Sequence, residues 1–323
     1  MKKLIKSLFT ASLLSCALAA APAIAQQQLK MAYALSKDSH YGAGAAAFVE
    51  SMSGNEDFVI EEFPNSALGG EREVIEGLQL GTVDVALVST GAILNFVPEA
   101  GVFDIPFLFR DLDHARGVLD SEIGQNMLEE FPGHGLVALA WGEQGFRHLT
   151  NSKRAVETPE DIKGLKIRIT ENPIHLKAFR ELGVQATPMA WPEVATALQQ
   201  GAIDGQENPL SVIVSTKMWQ LQDYLSLTGH VYAPALILVS PLVYDGLSDE
   251  QKAEFMEAGK KASQAMRDYV DTVEKDGLQT LKDNGMQVNE VDYAAFETAV
   301  EPVYKAYYDE FGEDLIESIR NAQ

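Results

Sequence analysis

Two runs of β-type sequence are longer than a strand inside one domain needs, and they set what this chain can fold into. Leu136 to Thr150 reads LVALAWGEQGFRHLT, and Tyr224 to Leu242 reads YLSLTGHVYAPALILVSPL, broken by Pro234. At ~3.3 Å per residue such strands are long enough to pass from one domain into another. The length of 323 residues agrees, because a domain takes ~100 to 200 residues. From Ser248, where an S-x-x-Q box with Gln251 opens a helix, a helical pattern with one charged face continues to about Lys282. At ~1.5 Å per residue that helix spans ~50 Å and must lie along more than one domain.

The remaining pattern alternates. Leu29–Leu35, Phe58–Phe63 and Val83–Val88 read as strands, and Val102–Phe109 adds an apolar run interrupted by Pro106. Helices are expected over Gly42–Met52 and Glu71–Leu80, so the spacing predicts an α/β fold with a parallel-rich sheet. Asp111 and Ser121 are the expected caps of two amphipathic helices, Asp111–Leu119 and Ser121–Phe131. Thr158-Pro159-Glu160-Asp161 starts a short helix, Leu210–Trp219 reads as helical, and Tyr293–Ala322 reads as two more helices. Gly69-Gly70 sits in no phosphate-binding pattern and reads as a turn.

Lys2, Lys3 and Lys6, an apolar run from Leu8 to Ala20 and Ala23-Ile24-Ala25 form a secretory signal, residues 1–25, with the mature chain expected to begin near Gln26. The periplasm is the expected location. Cys16, the only cysteine, lies within this leader; Leu13-Leu14-Ser15-Cys16 also loosely matches a lipid-attachment site, and that alternative stays open. No other stretch reaches the ~18 apolar residues of a spanning helix, so the mature chain is expected to be soluble. Loss of the leader leaves 22 basic residues against 47 acidic ones, a formal charge of −25. Such a field repels nucleic acid and anionic membrane surfaces, and an acidic ligand would need focused positive charge inside its pocket.

That positive charge is available in Gly164–Pro209. Leu165, Ile167 and Ile169 alternate as a half-buried strand, which puts Lys166 and Arg168 on its other face. A buried guanidinium needs an anionic partner, either a ligand carboxylate held by its fork of donors or an internal Asp or Glu. Arg147 sits between apolar neighbours in the first long run, and two arginines on neighbouring strands suggest an anion receptor. His40 and Tyr41, after the first strand, and Glu71 and Arg72, in a first helical turn, are further candidates. No catalytic motif or nucleotide loop is present, and the histidines at 40, 114, 134, 148, 175 and 230 show no ligand spacing. No metal, cofactor or catalytic residue is therefore expected. Asp204 and Glu207 form a possible carboxylate pair in turn-rich GAIDGQENP, the one foothold for a secreted enzyme.

GLKIRI with Asn172-Pro173, then PMAWPEVATALQQGAIDGQENP from Pro188 to Pro209, resembles the solute-binding proteins of tripartite ATP-independent periplasmic (TRAP) transporters, the DctP-like family. FDIPFLFRD at Phe103–Asp111, GFRHLTNS at Gly145–Ser152 and the long helix extend the similarity over the mature chain. The resemblance implies a two-lobed periplasmic binding protein, a clamshell with a long helix spanning both domains. The expected lobes are residues 26–144 plus 234–272 and residues 145–233 plus 273–323. It implies a monomer that takes a small organic acid to DctQ-like and DctM-like membrane subunits. By the same resemblance Arg168 holds the ligand carboxylate, Arg147 is a second ligand-facing position, Asn208 hydrogen-bonds the ligand and Trp191 walls the pocket. Ser89 falls at a position that helps choose the ligand, and His40, Glu71, Asn172 and Tyr232 lie on segments ending near the cleft. A sugar acid such as a uronate or keto-gulonate is the expected ligand. A dicarboxylate or keto acid is the alternative, with Arg72 as its second cation. Ala34 stands where sialic-acid binders keep an asparagine.

Overall fold

The structure is a computed structural model describing residues 26–322. The expected leader, with its cleavage site and Cys16, lies outside the described residues. In chain order the first elements are β1 (Gln27–Tyr33), α1 (His40–Met52), β2 (Phe58–Phe63), α2 (Glu71–Leu80), β3 (Val85–Ser89) and α3 (Thr90–Ile93). A 3-10 segment over Pro98–Asp104 leads to α4 (Leu112–Asp120), α5 (Glu122–Glu130) and β4 (Val137–Asn151). Next come α6 (Pro159–Ile162), β5 (Lys166–Ile169), α7 (Pro173–Glu181), β6 (Gln185–Pro188), α8 (Trp191–Gln199), β7 (Gly205–Pro209) and α9 (Leu210–Ser215). Then follow β8 (Tyr224–Val239), α10 (Pro241–Tyr244), α11 (Asp249–Asp283), β9 (Gln287–Asn289), α12 (Tyr293–Phe311) and α13 (Glu313–Arg320).

One sheet runs through both lobes in the order β2-β1-β3-β8-β4-β7-β5-β6, with β9 paired to β8. Its wings are parallel, as expected from the alternating pattern, but the long strands β4 and β8 run antiparallel to each other and to β7 and β3 respectively. Their two ends have different neighbours. Val137–Gly142 pairs with Ala235–Val239 beside β3, whereas Arg147–Asn151 lies beside β7. Between these parts the register slips at Glu143/Gly145, opposite Pro234 and Ala233. The slip explains how a proline sits in the middle of a sheet: a bulge leaves ladder positions unpaired where Pro234 has no N–H to give. Gly145, at φ 103, supplies the backbone turn.

The strands alternate as a sheet covered on both faces must. Met31, Tyr33, Val85, Leu87, Ile237 and Val239 pack under α1 and α11, while Ala32, Ala86, Val88, Leu236 and Leu238 pack into the core on the opposite face. The 35 residues of α11 extend about 50 Å along both lobes, capped by the Ser248–Gln251 box. Its N-terminal part contributes Phe255, Ala258, Ala262 and Met266 to one core, and further on Val273 and Leu281 join α8 and α9 in another. Glycine makes the close approach possible: a Cβ at Gly142 would lie 2.7 Å from Met266, and one at Gly44 2.8 Å.

Two local expectations fail. Val102–Phe109 is not a strand, because its start is 3-10 and Phe107 takes a left-handed φ of 59 beside Pro106. The Phe107 N–H instead donates to His230 O at 2.9 Å. GQENP is not a turn but the buried strand β7, and it separates β4 from β5.

Candidate functional site

The carboxyl ends of β1, β3, β5 and β7 meet a cleft between the lobes. One wall carries Ala34, Leu35, Tyr41, Glu71, Arg72, Ser89 and Asn95. The facing wall carries Arg147, Arg168, Thr170, Glu171, Trp191 and Asn208. The rims touch. Asn95 Nδ2 donates to Glu171 O at 2.8 Å, and a Cβ on Gly70 would stand 3.8 Å from Ala190 and Pro192.

Arg168 leaves β5 at 4% exposure. Its Nε and Nη2 both donate to Met189 O, at 2.9 and 2.6 Å, and the guanidinium lies 5.8 Å from the centre of the Trp191 ring. Among the described residues no carboxylate comes within 4.0 Å of its nitrogens, and Nη1 makes no hydrogen bond. Burial pulls its pKa down to about 10, against the field of Glu207. The internal ion pair left open by the sequence is therefore absent at this arginine.

At Arg147 it is present. Nε meets Glu207 Oε2 at 2.5 Å, and Nη2 reaches Glu207 Oε1 at 3.0 Å, Glu207 O at 2.6 Å and Asn208 Oδ1 at 3.2 Å. His230 Nε2 lies 3.1 Å from the same carboxylate. Burial opposes ionising Glu207, but the Arg147 charge and the His230 hydrogen bond outweigh it, holding the carboxyl well below its usual range. The two arginines do not lie on neighbouring strands: β7 runs between them and carries the acid that neutralises one of them.

Glu71, at the start of α2, accepts from Ser89 Oγ at 2.5 Å, Ser89 N at 2.8 Å and Tyr41 OH at 3.0 Å. Asn208 lines the cleft, with Nδ2 bonded to Gln206 Oε1. Trp191 begins α8 at the cleft edge and packs against two cores at once.

Arg168, Arg147, Asn208, Trp191, Glu71 and Ser89 thus gather on the cleft, and three other candidates do not line it. His40 is fully buried between Tyr41 and Tyr269, and burial takes its pKa down to about 3. Asn172 caps α7 through Oδ1 and donates to Asp104 Oδ2 at 3.2 Å. Tyr232 sits among Phe109 and Phe146 and donates to Glu143 at 2.8 Å. Sequence reasoning missed Gln144, Asn95, Thr170 and Glu171. Gln144 carried a signal, a polar residue set in an apolar strand run.

A cleft between two lobes that share a sheet is the architecture of a two-lobed binding protein. The chain belongs to the DctP family of TRAP solute-binding proteins: the family model described as bacterial extracellular solute-binding protein, family 7, matches residues 31–310. A solved TRAP periplasmic solute binding protein from Bordetella bronchispeptica is 67% identical, with TM-score 0.91, covering 92% of this chain and 100% of that one; its density was interpreted as pantoate. One from Polaromonas sp. JS666, bound to D-erythronate, is 49% identical, with TM-score 0.91 over 92% of this chain and 99% of that one. The 2,3-diketo-L-gulonate-binding periplasmic protein of Escherichia coli is 33% identical over 280 residues, 86% of this chain and 85% of its own length.

Proposed function

We propose that this protein captures a small hydroxylated carboxylate, a sugar acid, in the interlobe cleft and releases it unchanged to TRAP membrane subunits of the DctQ and DctM kinds. It acts in the periplasm, as a monomer, and is not an enzyme. The observation that carries the reading is Arg168, a buried guanidinium that among the described residues is bonded only to a carbonyl and leaves Nη1 unengaged on the cleft wall. A ligand carboxylate supplies the anion that the protein itself does not. Trp191 offers a flat face for the carbon skeleton, and Asn208 lies on the wall beside Arg147 for a hydroxyl or carbonyl.

The pantoate density and the bound D-erythronate of the two solved relatives support acids shorter than the uronates and keto-gulonates expected from sequence. Against catalysis, Glu207 is fully engaged by Arg147 and His230, and Asp204 accepts the Lys166 N–H at 2.9 Å, so the two carboxylates form no working pair. The lobe division at 144/145 and 233/234 is supported by the bulge at Glu143/Gly145. Calorimetry with erythronate, pantoate, galactonate and glucuronate tests the reading. At least one is expected to bind tightly and be recovered unmodified; absence of binding by all four refutes it.

A further inference from the structure

The wall around Glu71 offers mainly acceptors, and the opposite wall holds two arginines with unengaged donors among the described residues. The Glu71 carboxylate accepts the single proton of the Ser89 hydroxyl at 2.5 Å and that of the Tyr41 hydroxyl at 3.0 Å. Both hydroxyls therefore offer a ligand nothing but lone pairs. The Ser89 N–H is also committed to Glu71, and Asn95 Nδ2 donates to Ala92 O at 3.3 Å and Glu171 O at 2.8 Å. On the opposite wall, Nη1 of Arg168 and Nη1 of Arg147 bond nothing among the described residues. The third lining cation, Arg72, gives Nε to Glu76 at 3.2 Å, lies 5.9 Å from the Phe96 ring centre and is 55% exposed, where solvent screens it.

We propose that Glu71, with Ser89 and Tyr41, forms an acceptor wall that selects hydroxyl donors and rejects a second carboxylate, so that the ligands are hydroxylated monocarboxylates and dicarboxylates of the same length are excluded. The inference rests on the reading above that one carboxylate is held at Arg168. A second carboxylate has no proton to give this wall and brings a negative charge towards Glu71, and towards Glu171 on the opposite face. Like charges a few ångströms apart in a closed cleft cost on the order of 100-fold in affinity or more. A terminal hydroxyl at the same place donates into Glu71 instead.

Matched pairs isolate this one group. Erythronate and meso-tartrate share a four-carbon erythro skeleton and differ in whether the far carbon is an alcohol or a carboxylate; galactonate and galactarate repeat the comparison at six carbons. By calorimetry at pH 7.5 each diacid is expected to bind at least about 100-fold more weakly than its monoacid. In Glu71→Gln, whose ligand-free melting temperature is compared with wild type as a check on folding, the ratio is expected to shrink about tenfold or more. Diacids binding as tightly as monoacids, or a ratio unchanged in Glu71→Gln, overturn the inference while leaving the carboxylate-binding reading intact. Tight diacid binding that disappears in Arg72→Gln also overturns it, by making Arg72 the second cation. If neither monoacid binds the wild type, the reading itself fails and takes the acceptor wall with it.

Discussion

Replacing Arg168 separates its charge from its geometry. The native guanidinium has two unlike costs and gains. Burial in the cleft without an anion lowers its pKa from the usual arginine value to about 10, which at 1.36 kcal/mol per unit is about 3 kcal/mol against the ligand-free form. A carboxylate docked on the fork returns two charge-assisted hydrogen bonds, roughly 1.5–3 kcal/mol each. Arg168→Met removes both, so the net loss in binding is the difference, about 0–3 kcal/mol, up to about a 150-fold weaker Kd. Arg168→Lys keeps the charge but loses the planar fork, and its affinity is expected to fall between the other two. Calorimetry with a ligand that binds wild type reads the order directly. The ligand-free Arg168→Met protein is expected to melt no lower than wild type, since no internal ion pair is broken. Affinity within threefold of wild type, combined with a ligand-free melting point several degrees lower, would show that Arg168 serves the fold and would refute the reasoning.

Glu207→Gln is expected to lower stability by about 3–5 kcal/mol in urea denaturation, because it strands the buried Arg147 charge; a loss below about 1 kcal/mol sinks that account. Asp104, fully buried under Thr90 and Asn172, has its carboxyl pushed up to about 7 by burial, well above the usual aspartate range. A folded-state pKa above the unfolded one means its contribution is full below pH 4 and is lost as pH rises to 7. Wild-type stability measured relative to Asp104→Asn should therefore fall by roughly 4 kcal/mol over that window and then level off, whereas parallel curves would exclude it. His40 and His175, both lowered to about 3 by burial, move stability the opposite way in both proteins and cancel in the difference. Trp191→Ala is expected to weaken ligand binding about tenfold by removing the face beside Arg168; unchanged affinity assigns Trp191 to packing alone.

Where local physics and tertiary demand agree, the elements were legible. β2 and α2 fall on the expected residues, Asp111, Ser121 and Ser248 cap the helices they were expected to cap, and α11 ends one residue from its reading. β7 was hidden for a definite reason. Gln206, Glu207 and Asn208 have the composition of a loop, and only partners distant in sequence make them affordable in a central strand: Thr150 for Gln206, Arg147 and His230 for Glu207. No local window contains that information. The same blindness paired the two arginines as neighbours. Residue roles at Arg168, Asn208 and Trp191 came from family resemblance, whereas the acceptor character of Glu71 came from which oxygen each hydroxyl faces.

The slipped, proline-bearing crossing of β4 and β8 bears on how such a protein can be taken apart or recombined. Neither lobe owns its central strands: each is completed by half of a strand whose other half belongs to its neighbour. A graft of one lobe from a relative must be cut inside both strands, near Glu143 and Pro234, and must match the register slip there, or every side chain beyond the junction changes face.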